Sequence, residues 1–231
     1  MRWTNWALAA LLAGGLAGRP AAAQVAPPSP AGPPSRFVVV LDPAHGGDDA
    51  GGRMANGQSE KNFTLALSGR LRSLLAARGI QVVTTRDADA TVEPDRRAEI
   101  ANHAHAQACL SLHAAESGAG IHLFTSSLAP AQPARFTPWK TAQAAWVTRS
   151  LALAGELNSA LQHTGMSVSL GRTTLPVIDS MTCPAVALEI APERSADHKT
   201  TTGLDDKDYQ ARVATALAAA LVEWRTEAQQ P

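Results

Sequence analysis

The sequence predicts an α/β fold: a single domain built on a largely parallel open sheet flanked by helices. Three observations lead there. Short apolar runs with little alternation recur at residues 37–41, 81–85, 108–112 and 184–190, as strands buried on both faces require. Segments with helical spacing of apolar residues separate these runs, which favours parallel strands joined by crossover helices. The 231 residues suffice for one well-buried domain once the termini are set aside.

In order along the chain, residues 1–23 have the layout of a signal peptide. Arg2 supplies the positive start, residues 6–16 a short apolar stretch, and Ala21-Ala22-Ala23 a small-residue cleavage site. The apolar stretch is too short and too broken by glycine to span a bilayer stably, so no stable membrane insertion is expected after cleavage; an uncleaved anchor is the rival reading. Residues 24–35, rich in Pro, Ala and Gly, read as a semi-extended linker. Residues 36–231 form the domain, and the layout predicts an exported, periplasmic protein.

Within the domain, Phe63, Leu67, Leu71, Leu74 and Leu75 follow helical spacing, with Ser59 as the expected N-cap and Gly79 closing the helix. Pro94 opens a second helix expected to run to about residue 105. Residues 120–125 alternate and suit another strand. Residues 129–138 contain three prolines and read as a loop, and residues 141–162 read as one long helix. A last helix covers residues 206–226, followed by a polar tail.

The charge balance excludes one class of partner. Twenty basic and 20 acidic residues cancel, so no positive field exists to hold the phosphates of nucleic acid. Cys109 and Cys183 suit an oxidising compartment; a disulfide between neighbouring strands and two separate buried thiols are both consistent with the sequence.

Four polar residues mark the ends of predicted elements: His45, Glu60, His113 and Glu189. Two histidines and a carboxylate are a ligand set suited to zinc with one open position, and a further carboxylate outside the set can move protons. Each has an ordinary alternative. His45 lies in a Gly-rich turn; Glu60 at a helix start is favoured by the macrodipole; an isolated His113 after a strand suits a structural role. Glu189, within Val186-Ala-Leu-Glu-Ile190, is costly in a dry core without a partner, which favours a functional role. The sheet brings the set together, because ligands of open α/β sheets gather beyond the carboxyl ends of the strands. Asp42 is expected either to support the site from behind or to cap the turn. Among the other histidines, His103 and His105 are two apart on a predicted helix and cannot share a ligand. His122, on the strand after His113, is expected near the pocket; His163 and His198 are expected in solvent.

The motifs Leu41-Asp-Pro-Ala-His-Gly-Gly47, Glu60-Lys61, Thr85-Arg-Asp-Ala-Asp89, Arg97 with Ile100-Ala-Asn102, Ser111-Leu-His113 and Pro184-Ala-Val-Ala-Leu-Glu189 occur in this order. Together they resemble the zinc-dependent N-acetylmuramoyl-L-alanine amidases of cell separation and wall turnover. The resemblance implies Zn2+ held by His45, Glu60 and His113, and Glu189 as the catalytic carboxylate. It implies peptidoglycan or its muropeptides as substrate, cut between N-acetylmuramic acid and L-alanine. The alternatives are a non-catalytic peptidoglycan-binding domain and a zinc peptidase acting on other exported peptides. The chain departs from the family pattern at Ala44, at Ala115 and Glu116 where an Asn is usual, and at Ile190-Ala191-Pro192 in place of Gly and Phe. Ala44 suits the turn provided its φ is negative. Some relatives plug the site with a helical insertion; residues 126–162 are expected here to act as a lid or to shape the site.

Overall fold

The computed structural model describes residues 36–195, 197 and 199–228. The signal peptide, the linker, His198 and the polar tail beyond residue 228 lie outside the described residues. Six strands form one sheet: β1 (Val38–Pro43), β2 (Gln81–Thr84), β3 (Ala108–Ala114), β4 (Ile121–Ser126), β5 (Val168–Thr173) and β6 (Ala185–Ile190). Their order is β2-β1-β3-β6-β4-β5, and every pairing is parallel except that between β4 and β6. A two-stranded ribbon, β7 (Glu193–Arg194) with β8 (Thr201–Thr202), follows β6.

The helices cover both faces. On one face lie α1 (Glu60–Ala76), α3 (Val147–His163) and α5 (Lys207–Ala228), whose Leu71, Leu75, Leu157, Leu161, Leu217 and Leu221 are wholly buried against strand residues such as Leu110, Leu112 and Leu188. Each fully buried leucine contributes roughly 1.5–3 kcal/mol relative to exposure. On the other face α2 (Pro94–His103) and the short α4 (Pro176–Asp179) pack on Val40, Cys109, Ala185 and Ala187. Small side chains here let the two helices sit close to the strands. Alternation along β3 therefore sends Leu110 and Leu112 to the first face and Cys109, Ser111 and His113 to the second.

Several expectations are refined. Ser59 holds the N-cap position of α1 with extended backbone, but its hydroxyl makes no capping bond. The amides of Glu60 and Lys61 are met instead by the carbonyls of Gly52 and Ala50, so the loop before the helix does the capping. The second helix ends at His103, and His105 stands beyond it with φ 47°. The segment read as one helix over 141–162 is a 3-10 helix, Trp139–Ala145, followed by α3. The break is anchored by Gln143, fully buried, whose Nε2 donates to the carbonyls of Met181, Cys183 and Ile178 and whose Oε1 accepts from Ser150. This ties the 3-10 helix to α4. Cys109 and Cys183 are joined in a disulfide that links β3 to the approach of β6.

Candidate metal centre

The turn after β1 carries His45. The backbone there leaves the extended region: Ala44 is not among the residues with positive φ, His45 has φ 62°, and Gly46 and Gly47 continue at 132° and 60°. Gly47 cannot be replaced without movement, since a Cβ there would lie 2.0 Å from Thr91 Oγ1. Two buried arginines brace the turn from below. Arg97 of α2 donates to Asp42 Oδ1 (2.7 Å) and to the carbonyls of Pro43 (2.8 Å) and His45 (2.7 Å). Arg86 donates to the carbonyls of Pro43, Ala44 and Lys61. Lys61 then closes the outer side, donating to Gly47 O (2.7 Å) and Asp89 (2.8 Å).

Glu60, the first residue of α1, reaches into the space between the two histidines. Its Oε2 lies 3.0 Å from His45 Nε2 and accepts from Gly52 N (2.9 Å); its Oε1 lies 3.2 Å from His113 Nδ1 and accepts from Ala114 N (3.0 Å). Burial works to raise this carboxyl. The hydrogen bonds from His113, Gly52 and Ala114, with the charge at His45, outweigh it and hold Glu60 down to about 2. Gly51 makes room for this geometry, for a Cβ there would lie 2.6 Å from the His45 ring and 2.7 Å from Glu60 Oε2.

Each imidazole uses its other nitrogen to contact the protein. His45 Nδ1 meets Asp49 Oδ2 at 2.8 Å, a bond that holds the Asp49 carboxyl below its usual range. Ser111 Oγ donates to Asp42 Oδ2 (2.8 Å) and faces His113 Nε2 at 3.4 Å. Asp42, buried and paired with Arg97, thus supports the site from behind rather than capping the turn. Were a metal bound, Asp49 and Ser111 could each take an N–H from the outer nitrogen, so that His45 Nε2 and His113 Nδ1 would offer lone pairs to the ion in place of their contacts with Glu60.

One ligand atom from each of His45, Glu60 and His113 lies within 4.8 Å of the others, and the three form a group able to hold a metal ion. The donor set, two imidazole nitrogens and a carboxylate oxygen with outer partners that fix both rings, fits zinc. Glu189 stands outside this group. Its Cα pairs with His113 of β3 on one side and His122 of β4 on the other, so the three side chains share one face of the sheet. The expectation of a carboxylate in a dry core is corrected: Glu189, one residue from the end of β6, is half-buried.

A cavity of about 390 Å³ adjoins the triad, lined by Asp42, His45, Ser111 and His113, with Val92 and Pro94 on one wall and Leu175–Ile178 on the other. Sequence reading missed Asp49 and this apolar wall. Asp49 sits in a Gly-rich turn, where spacing from His45 predicts no contact, and the wall had no signal either, since only folding brings α4 beside α2.

A profile of the N-acetylmuramoyl-L-alanine amidase family matches residues 39–223. The chain belongs to this family. It is 43% identical over 77 residues to the N-acetylmuramoyl-L-alanine amidase AmiA of Escherichia coli (strain K12), a stretch covering 33% of this chain and 27% of the relative. To the germination-specific N-acetylmuramoyl-L-alanine amidase of Bacillus subtilis (strain 168) it is 32% identical over 95 residues, covering 35% and 40% of the two chains. The chain therefore matches well under two thirds of the length of these curated family members. Among solved structures of the family, the catalytic domain of CwlV from Bacillus (Paenibacillus) polymyxa var. colistinus is similar with a TM-score of 0.63 at 25% identity, covering 82% of this chain and 98% of that one. Ami1 of Mycobacterium smegmatis has the same fold, with a TM-score of 0.64 at 21% identity and coverage of 81% and 96%.

Proposed function

We propose that this protein is an exported, zinc-dependent amidase that hydrolyses the bond between N-acetylmuramic acid and L-alanine in peptidoglycan. The observation that carries the reading is the geometry of four residues. His45, Glu60 and His113 converge within 4.8 Å, and Glu189 stands one strand away on the same face without joining the ligand group. Membership of the amidase family names the bond. Export and a periplasmic location rest on the signal-like residues 1–23; among the described residues no helix is long and apolar enough to cross a membrane.

His45, Glu60 and His113 hold the zinc ion in this reading. When bound, zinc supplies Lewis acidity toward a water molecule and the scissile carbonyl. The protein residues do the remainder. Asp49 and the Ser111–Asp42 pair keep each imidazole in one tautomer and orientation. Glu189 takes a proton from the attacking water and delivers it to the leaving nitrogen of L-alanine. The cavity beside His113 receives substrate groups flanking the amide, its apolar wall excluding water from them.

The test incubates the purified protein and zinc with muropeptides and follows free stem peptide by mass spectrometry. Release that stops with a chelator and returns with added zinc is the expected result. Failure to release stem peptide with zinc present contradicts the reading; binding without release would mark a non-catalytic wall-binding domain, and cleavage confined to other peptides a peptidase.

A further inference from the structure

The row of paired residues across the sheet extends beyond the site already described. His113 pairs with Glu189, Glu189 with His122, and His122 with Ser169, so four polar residues on β3, β6, β4 and β5 form a line on one face. His122 is held firmly in that line. Its Nδ1 bonds Ser169 Oγ at 2.6 Å, and its ring stacks on Phe124 with centroids 6.4 Å apart and planes 18° from parallel. The Gly118 turn, which joins β3 to β4, lies beside the ring, where a Cβ on Gly118 would make ordinary contact with His122 Nε2 at 3.4 Å. No protein group among the described residues bonds Nε2, and the residue is half-exposed. A fixed imidazole with one free nitrogen is a preorganised binding group.

Its position sets what it binds. The scissile carbonyl must face the triad at His113, and the leaving nitrogen must come within reach of Glu189. Groups attached to that nitrogen then lie on the far side of Glu189 from the triad, where His122 stands. Neighbouring strands are about 4.8 Å apart, a distance that an extended peptide covers in one to two residues at roughly 3.5 Å each. We infer that His122 is a substrate-binding residue that recognises the stem peptide just past L-alanine, its Nε2 meeting a backbone carbonyl or carboxylate there, with Ser169 as the residue that positions the ring. This rests on the amidase reading and adds to it a stem-side subsite.

The test compares the wild type with His122→Ala, His122→Gln and Ser169→Ala, each loaded with zinc. The substrates are a muropeptide with its full stem and N-acetylmuramoyl-L-alanine, which lacks the stem past the first residue. For the full stem, His122→Ala raises KM about tenfold while kcat stays within about threefold, the size of one hydrogen bond to a charged group. For the truncated substrate the two proteins behave alike. His122→Gln, which keeps an N–H donor, recovers most of the loss, and Ser169→Ala shows a smaller rise in KM. Calorimetric titration with free stem peptide gives the same ranking without turnover, with His122→Ala binding about tenfold more weakly. Equal losses on both substrates, a fall in kcat at constant KM, or unchanged stem-peptide binding in His122→Ala overturns the inference. A wild type that binds stem peptide through His122 but releases none from muropeptides overturns the amidase reading instead, so the two failures are distinguishable.

Discussion

At the scale of single residues, the proposed site depends on what each candidate ligand does with its second functional atom. His45 adopts φ 62°, a conformation that histidine tolerates better than most non-glycine residues, and its Nδ1 is occupied by Asp49. Removing that partner frees the ring to rotate and to take the other tautomer. Asp49→Ala is therefore expected to weaken zinc binding about 10–100-fold while leaving the fold intact, as read by competition with a chromogenic chelator and by far-UV circular dichroism. An unchanged affinity would show that the turn alone orients His45. His45, Glu60 and His113, which the fold brings together, could be singled out in the sequence because they stand at a glycine turn, a helix start and a strand end. Asp49 could not, since an aspartate in a Gly-rich loop has the pattern of a solvated turn residue. Glu189 was picked out on the cost of burial. It is in fact half-buried, and its place beside His113 is the better reason for a role.

At the scale of elements, the site is a junction of β1, α1, β3 and β6, and the buried Asp42–Arg97 pair fastens it. Asp42 is 2% exposed and also accepts from Thr85 and Ser111, so one carboxylate links β1, the end of β2, α2 and β3. Arg97→Ala leaves that carboxylate buried without its cation and removes the bond to His45 O. The variant is expected to lose about 3–5 kcal/mol of stability in urea titration. Loss below 1 kcal/mol would mean that Thr85 and Ser111 suffice. Parallel strands and their crossover helices were readable from apolar runs and spacing. The edge strand β5 was not: Ser169, Gly171 and Arg172 interrupt its apolar pattern, and most of its residues are exposed, so it lacks the uniformly apolar run of the inner strands. The kink ahead of α3 also escaped notice, because Gln143 looks like an ordinary surface residue until its carbonyl partners fold around it. Within residues 126–162, Gln143 braces α4, which forms one wall of the cavity.

Across the whole molecule, a sheet with helices on both faces brings residues far apart in sequence to one edge, and the disulfide reinforces the strands that carry two of them. Cys109 and Cys183 close a loop of 74 residues. Loop-closure entropy alone makes that bridge worth about 4 kcal/mol, so the double variant Cys109→Ser with Cys183→Ser is expected to lose about that much unfolding free energy in urea titration. Both sulfurs lie on the buried α2–α4 face, Cys109 in the same strand as His113 and Cys183 just ahead of β6, so zinc content at low temperature should be unchanged. Loss of zinc from a folded double variant would show that the bridge sets the site's geometry. The central claim is that three residues hold zinc and Glu189 does not, acting instead on protons. It is tested most directly by measuring zinc per chain and stem-peptide release on the same preparations of wild type, Glu189→Gln and His113→Ala. The account predicts that Glu189→Gln keeps one zinc per chain but loses about 100–10,000-fold in turnover, while His113→Ala loses zinc and activity together. A Glu189→Gln protein that loses its zinc, or keeps its turnover, would contradict it.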